Sequence, residues 1–198
     1  MLKLRHSTTS PFVRKAVVTA IETGQDSEIE RVKTVTSDPA LGADNPLQKI
    51  PALVLEDGTR LIDSKVICEY LDQRKGGKLI PASGPKRWAV LARQALCDGI
   101  LDAAILRRYE TQRPETLRST EWDAKQKLKM DQGLAALERD ARGFGDAVDL
   151  GTLTAAIMLD YLDFRFAHEN WRQKHPSLAT WYAAFSQRPS LQSTRPQD

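Results

Sequence analysis

The sequence has little of what marks disulfide-rich or metal-binding proteins. Only two cysteines, Cys68 and Cys97, occur among 198 residues, and they form neither a CxxC pair nor another metal-ligand spacing. Each lies inside an apolar helical pattern, where a buried cysteine acts as a small hydrophobic side chain. We therefore expect core packing for both, no metal site, and a reducing compartment such as the cytoplasm.

Long apolar runs and charge of one sign are also scarce. No stretch approaches the roughly 20 apolar residues that span a bilayer, and the first twelve residues lack the apolar core of a signal peptide. The formal charge of +3 comes from 29 basic and 26 acidic residues spread along the chain. We expect neither membrane insertion nor secretion, and no nucleic-acid partner.

The composition that is present fits folded structure throughout, with 41% hydrophobic and 28% charged residues. Residues 2–6 alternate polar and apolar side chains, as a strand does. Ser10 and Pro11 then supply the N-cap and first residue of a helix that ends near Gly24. The chain thus begins with a strand that leads into a helix.

Three further elements complete a first domain. An imperfect strand at 28–35 precedes a polar loop, and residues 52–62 read as a hairpin around an Asp-Gly turn. Asp63 and Ser64 offer capping side chains to the helix that follows. The predicted order is βαβ, a loop, and ββα.

A second domain with a different character follows. Residues 75–85 are the part of the chain richest in Gly and Pro, and no strand pattern occurs after them. Helical spacing of apolar residues predicts helices at 87–109, around 130–141, at 150–167 and after Pro176. We therefore predict an α/β domain at 1–77, a linker at 78–86 and an all-helical domain at 87–198.

Chemistry is expected in three segments of the first domain, each at a strand end or helix start, where α/β folds bind ligands. At the first helix, Ser10 and the helix amides favour an anion such as a thiolate by about 0.3 to 1 kcal/mol. Pro51, at the mouth of a strand, can leave the preceding backbone free to pair with an extended peptide. Ser64 could bind a carboxylate at a helix N-terminus. Taken singly, each is explained more simply by a helix cap or a strand-start proline.

Together, at these spacings, the segments resemble the glutathione S-transferase family. The motifs are Ser-Pro-Phe-Val-Arg-Lys at 10–15, Asn-Pro-Leu-Gln-Lys-Ile-Pro-Ala-Leu at 45–53, and Asp-Ser-Lys-Val-Ile-Cys-Glu-Tyr-Leu at 63–71. The likeness continues at 95–104, 161–165 and 175–181, and so covers nearly the whole chain. It implies a thioredoxin-like α/β N-terminal domain followed by an all-α C-terminal helical bundle, usually assembled as a homodimer.

The resemblance also implies roles for residues in the first two motifs. Ser10 matches the serine that hydrogen-bonds the glutathione sulfur in serine-type bacterial members, and Phe12 belongs to the same glutathione-binding motif. Residues 7–9 add three more hydroxyls, so which one faces the sulfur stays open. Ile50 matches the residue whose backbone pairs with the cysteinyl moiety, and Pro51 matches the family's cis-proline.

The remaining contacts concern the two ends of glutathione. Asp63 and Ser64 match the pair that holds the γ-glutamyl end, and Lys49 is placed to reach the glycyl carboxylate. The sequence departs from the family pattern at Gln48, where glycine is frequent, and at Thr152, which replaces an acidic capping residue.

The function that the resemblance implies is a glutathione transferase. It would activate the thiolate of its co-substrate glutathione for conjugation to, or reduction of, a small hydrophobic electrophile. A non-catalytic module, in which the same fold serves dimerisation or partner binding, is the alternative. A thiol-disulfide reductase is disfavoured, because no cysteine lies at the start of the first helix.

Overall fold

The computed structural model describes residues 1–198, and they divide into two compact units. One unit comprises residues 1–87 and 188–198, and the other comprises residues 88–187. The sequence assigned residues 188–198 to the helical domain, whereas in the structure they group with the α/β unit.

The α/β unit contains one four-stranded sheet. Its strands are β1 (Leu2–His6), β2 (Ile29–Lys33), β3 (Leu53–Val54) and β4 (Arg60–Leu61), in the spatial order β2-β1-β3-β4. β1 runs parallel to β2 and antiparallel to β3, and β3 runs antiparallel to β4. The predicted hairpin is confirmed, with Gly58 at φ +85° in the Asp-Gly turn that joins β3 to β4.

Helices α1 (Pro11–Glu22) and α3 (Ser64–Arg74) pack against each other in this unit. α1 ends at Glu22 and Gly24 follows at φ +71°, a conformation that glycine adopts without steric cost. Apolar side chains from both helices and from the sheet are fully buried: Leu2, Leu4, Val13, Val17, Leu53, Ile67 and Leu71. The predicted loop before β3 contains one further helical turn, α2 (Leu41–Asp44), which is too short for its periodicity to be visible in the sequence.

The segment after α3 is anchored by one carboxylate. Asp72 is 1% exposed, and its Oδ1 accepts hydrogen bonds from the amides of Lys78 and Leu79 at 2.8 Å each. Its Oδ2 accepts from the Ile80 amide at 2.9 Å. The first residues of the predicted linker are therefore fixed to α3.

The second unit is helical. Its helices are α4 (Gly84–Gln112, which begins in the first unit), α5 (Thr120–Asp140), α6 (Leu150–Phe166), α7 (Trp171–Lys174) and α8 (Pro176–Phe185). α6 is buried along residues 150–162 and forms the centre of the unit. Asp149 and Thr152 cap it reciprocally, each side chain accepting from the other's amide at 2.8 and 3.0 Å, so Thr152 still serves in the cap although it replaces an acidic residue.

α5 begins ten residues before the predicted pattern. Ser119 caps it by accepting from the Trp122 amide at 3.2 Å. Its first half is largely exposed and carries the ion pairs Lys125–Glu121 and Lys127–Asp131, so helical spacing of apolar residues is absent there. Farther along, Gly133 allows close approach to α4, since a Cβ there would lie 2.5 Å from Cγ1 of Ile100.

The chain then returns to the α/β unit with α9 (Pro189–Gln192). Buried Arg14 of α1 donates to the Leu191 carbonyl at 2.9 Å and to Thr194 Oγ1 at 3.1 Å. Glu22, the last residue of α1, accepts two hydrogen bonds from Arg188, at 3.1 and 2.8 Å. Both ends of α1 thus bind the returning segment. No helix of either unit is long and apolar enough to cross a membrane.

Candidate functional site

Strand pairing brings the three predicted segments to one edge of the sheet. β1 ends at His6, and the amide of Arg5 donates to the Ala52 carbonyl at 2.9 Å, just before β3. In the next pair, Leu53 lies opposite Leu61, the last residue of β4. The end of β1, the start of β3 and the end of β4 therefore share an edge, and the segments of Ser10, Pro51 and Asp63 adjoin it.

The opening of α1 leaves a single backbone donor. Ser10 Oγ accepts from the Val13 amide at 3.3 Å, and the Ser10 carbonyl accepts from the Arg14 amide at 3.0 Å. Pro11 has no N–H. The Phe12 amide is therefore the one N–H of this first turn that is not used within the helix, and it lies beside the Ser10 hydroxyl, whose proton remains available.

The neighbouring hydroxyls are partly engaged with one another. Ser7 Oγ lies 3.1 Å from Thr9 Oγ1 and also accepts from the Thr9 amide at 3.4 Å. Thr8 is exposed. The Ser7–Thr9 pair uses one of its two hydroxyl protons, so Thr8, Ser10 and one member of that pair keep a proton free for a ligand.

Two polar residues that the sequence did not single out shape the loop before β3. Buried Asn45 donates through Nδ2 to the Lys49 carbonyl at 2.7 Å and accepts the Leu47 amide on Oδ1 at 3.0 Å. Asp44 accepts a hydrogen bond from Arg5 Nε at 2.7 Å and forms an ion pair with Arg60 at 3.5 Å. These contacts connect α2 to β1 and β4. Asn45 belonged to a recognised motif, and its side-chain bonds to nearby backbone are typical of asparagine in turns.

The loop ends in the bond that the resemblance predicted to be cis. The Ile50–Pro51 peptide is cis, which confirms that prediction. The amide and carbonyl of half-buried Ile50 make no backbone hydrogen bond within the chain. This short backbone stretch therefore has a donor and an acceptor that an added extended segment could use. Gln48, at the position where glycine is frequent, has φ +53°, the region that glycine adopts freely.

The opening of α3 differs from that of α1. Here Asp63 is the N-cap, and its Oδ1 accepts from the Lys65 amide at 2.8 Å. Ser64, only 3% exposed, is the first helical residue, and its hydroxyl makes no cap bond. The amides of Ser64 and Val66 are first-turn donors without partners inside the helix. Two amides and a hydroxyl thus point to an anion-binding arrangement.

The remaining predicted residues flank these openings. The Phe12 ring is half-buried, with the Lys15 ammonium 5.7 Å from its centroid. Lys49 is exposed and carries its charge at the edge of the loop. Burial, reinforced by Arg31, lowers the pKa of His6 at the end of β1, so this imidazole is neutral at physiological pH. No group of three or more His, Cys, Asp or Glu side chains is arranged to hold a metal ion.

With this fold and this edge, the chain belongs to the glutathione S-transferase family. Residues 4–79 match the model of the family's N-terminal domain, and residues 103–184 match that of its C-terminal domain. The predicted family and fold class are thereby confirmed.

Three relatives are similar over the whole length. The chain is 32% identical over 199 residues to the uncharacterized GST-like protein YibF of Escherichia coli K12, with 98% of each chain covered. A glutathione transferase family member from Pseudomonas fluorescens Pf-5, solved with bound glutathione, shares 43% identity with a TM-score of 0.97, over 100% of both chains. A second structure from that organism, with bound S-(propanoic acid)-glutathione, shares 42% identity with a TM-score of 0.92 over 100% of both chains.

Proposed function

We propose that this protein is a glutathione transferase that binds glutathione along the edge described above and activates its thiol for attack on a small electrophile. The observation that carries the proposal is the set of free polar groups gathered there. The Ser10 hydroxyl and the Phe12 amide lie at the start of α1, and the amide and carbonyl of Ile50 lie just before β3. The Ser64 hydroxyl and the free first-turn amides lie at the start of α3.

The thiol is activated at α1. A free thiol has a pKa of about 8.5, so only a few per cent is ionised at neutral pH. The Ser10 hydroxyl donates to the thiolate, and the Phe12 amide and the helix dipole add to that stabilisation. Each favours the charged sulfur over the neutral one, so the pKa of the bound thiol falls and the fraction of nucleophile rises.

The rest of glutathione is held by its backbone and its charged ends. The cysteinyl moiety pairs with the amide and carbonyl of Ile50, next to Pro51. At the γ-glutamyl end, the carboxylate of glutathione accepts hydrogen bonds from the Ser64 hydroxyl and amide. The Asp63 carboxylate faces the ammonium group of glutathione. Lys49 reaches the glycyl carboxylate.

A carboxylate-bearing acceptor is the electrophile that a relative supports best. The Pseudomonas fluorescens structure holds a glutathione whose sulfur carries a propanoic acid group. Addition of the thiolate to the β-carbon of an acrylate, with a proton delivered to the α-carbon, forms that thioether and balances all atoms. Small electrophiles with an activated double bond, with and without a carboxylate, are therefore the first substrates to assay.

Glutathione titration followed by spectroscopy of the bound thiol tests this proposal. We expect saturable binding by calorimetry, and a thiolate absorbance that appears at lower pH for bound than for free glutathione. Conjugation of an activated electrophile should then follow the same pH dependence. Binding with an unshifted thiol pKa and no conjugation would instead favour the non-catalytic module.

We also propose a homodimer as the working form. The large apolar side chains that are exposed on a single chain include Leu47 at 65%, Val66 at 48% and Trp88 at 67%. Sedimentation should give about twice the 22.2 kDa chain mass, and Leu47→Glu should shift the distribution toward monomer. Exposed Leu128→Glu, on α5, is the matched control and should leave the mass unchanged.

A further inference from the structure

A small cavity of about 120 Å³ lies in the α/β unit, between the end of β1, α1, β2 and the returning C-terminal segment. Its walls include residues 6–8, Arg14 of α1, Arg31 of β2 and four of residues 193–197. We refer to it as the tail cavity, because residues 193–197 follow α9 and close one side of it. None of the proposed glutathione contacts lines the tail cavity.

The size of the tail cavity suits an ion and not a larger molecule. A single water needs only about 10 to 15 Å³ of such space, so 120 Å³ has room for a polyatomic ion together with water. Pockets that enclose larger ligands begin at about 300 Å³. A ligand confined to the tail cavity is therefore a small group.

Strand pairing directs Arg31 toward the tail cavity. Arg31 lies opposite Leu4 in the ladder of β1 and β2, and paired residues project from the same face of a sheet. Leu4 is 1% exposed, in the core that the sheet shares with α1, so the Arg31 side chain projects from that same face. Burial is the main cause that lowers the pKa of His6, and the charge of Arg31 adds to it. The positive charge of Arg31 is therefore felt inside the cavity.

The lining as a whole contains three arginines and no carboxylate. Buried Arg14 uses Nε and Nη2 to bind Thr194 Oγ1 at 3.1 Å and the Leu191 carbonyl at 2.9 Å, so it fixes the position of the C-terminal segment. Arg31 pairs with Asp26, which lies outside the cavity. The two side chains of that pair are 36% and 48% exposed, so solvent weakens their attraction.

Arg195 is the third arginine, and its charge is available to a ligand. This side chain is exposed and belongs to no ion pair, and a guanidinium offers five N–H donors. The hydroxyls of Thr8 and Ser193, also in the lining, make no hydrogen bond within the chain. The Thr194 hydroxyl differs, because it donates to the Ser190 carbonyl at 2.7 Å. One unpaired guanidinium and two free hydroxyls thus meet in a cavity without negative charge.

From this juxtaposition we propose that the tail cavity binds a tetrahedral oxyanion, either free phosphate or sulfate or the terminal group of a small phosphate ester. Arg31 and Arg195 bind its oxygens, since a guanidinium matches the spacing of two oxygens of such an ion. The Thr8 and Ser193 hydroxyls donate to the remaining oxygens. The bound ion connects the end of β1 and β2 with the C-terminal segment, so it stabilises the folded chain.

Titration of the whole chain with inorganic phosphate, followed by phosphorus NMR, tests the proposal without any glutathione. Ionic strength is held constant with sodium chloride, so that screening does not change. We expect saturable broadening of the phosphate signal, competition by sulfate, and a melting temperature that rises with phosphate. Arg195→Met should weaken phosphate binding by about tenfold or more, because a charge-assisted contact is lost, and Ser193→Ala by about two- to fivefold.

The matched control is Arg60→Met, which removes the same charge from an exposed position on β4, at the opposite edge of the sheet from β2. It should leave phosphate binding unchanged. Equal affinity in the wild type and a folded Arg195→Met variant would overturn the proposal, as would equal losses in Arg195→Met and Arg60→Met.

Two competitors complete the experiment. Displacement of phosphate by glutathione would also overturn the proposal, since the ion would then occupy the glutathione edge. Glycerol 3-phosphate distinguishes the two sources of the oxyanion: affinity equal to that of phosphate indicates the end of an ester, and weaker binding indicates the free ion. Because phosphate binding is measured without glutathione, its result is independent of the transferase proposal.

Discussion

The openings of α1 and α3 are both helix starts, but they keep different numbers of donors, and the proposed function assigns them two different groups of glutathione. At α1, Pro11 has no amide N–H, and the Val13 amide donates to Ser10 Oγ. Only the Phe12 amide and the proton of the Ser10 hydroxyl remain as donors. At α3, Asp63 performs the capping, so the Ser64 hydroxyl and two amides stay free. One donor pair suits a single sulfur atom, and three donors suit a two-oxygen carboxylate. The comparison teaches that the choice of capping residue decides how many donors a helix start keeps for a ligand.

The largest effect is expected where the capping hydroxyl is also the thiolate donor. Ser10→Ala removes that donor but leaves the Phe12 amide and the helix dipole, so turnover should fall by about 10- to 100-fold without vanishing. The pKa of bound glutathione should rise toward its free value, which the thiolate absorbance measures against pH. Thr8→Val, which removes a neighbouring hydroxyl that makes no hydrogen bond within the chain, is the matched control. A loss confined to that variant would make Thr8 the donor.

A smaller effect is expected at α3. Ser64→Ala removes one of three donors from the γ-glutamyl carboxylate and should weaken glutathione binding by about 1 to 2 kcal/mol, the usual worth of a hydrogen bond to a charged group. Calorimetry at fixed pH measures this change, and the thiol pKa should stay as in the wild type. Unchanged affinity would leave Ser64 with a packing role only.

The far end of α1 gives a pH-dependent prediction. Burial acts to raise the pKa of Glu22, but hydrogen bonds from Arg188 and Ser190 outweigh it and hold that pKa below the ordinary value of 4.5. The ionised carboxylate therefore stabilises the fold above the unfolded-state pKa, and this contribution is lost as pH falls through the lower folded value. Glu22→Gln should cost about 1 to 1.5 kcal/mol near neutral pH and progressively less below pH of about 4.

Denaturant titration across that pH range measures the difference. Glu30→Gln, on an exposed side chain of β2, serves as the control and should stay within about 0.5 kcal/mol of the wild type at every pH. If the loss in free energy of unfolding caused by Glu22→Gln does not change with pH, the Arg188 contact stabilises the fold by packing and not by charge.

The smallest effect separates capping from ligand binding. Because Ser10 caps α1 and Ser64 caps nothing, Ser10→Ala should lower the free energy of unfolding by about 1 kcal/mol, and Ser64→Ala by less than about half of that. Thermal melts without glutathione measure both. Equal losses would contradict the difference between the two helix starts.

Local signals in the sequence predicted most of the α/β unit. Ser10, Pro11 and the Asp-Gly turn each act within a few residues, so strand, helix and hairpin follow from neighbouring side chains. The approach of the three binding segments to one edge came from resemblance, since strand pairing joins residues far apart in the chain. The positions of residues 188–198 and of Asp44 depend on distant partners, Glu22 and Arg5, and carry no local signal.

The helical unit shows a different limit. Apolar spacing revealed α4 and α6, but the exposed start of α5 has no such spacing and is held by Ser119 and by ion pairs instead. The partners of charged side chains could not be predicted either, because Arg107 and Arg108 adjoin in sequence yet differ in their partners. One is neutralised by two carboxylates, and the other by none.

The return of residues 188–198 to the first unit has a consequence for synthesis on the ribosome. Arg14 and Glu22 emerge early, whereas Leu191 and Arg188, to which they bind, are translated after the entire helical unit. The nascent α/β unit must therefore wait without these partners of Arg14 and Glu22 while about 100 residues are added, roughly 5 to 20 s at 5 to 20 residues per second. During that interval α1 lacks its contacts with α9 and is open to chaperones and proteases.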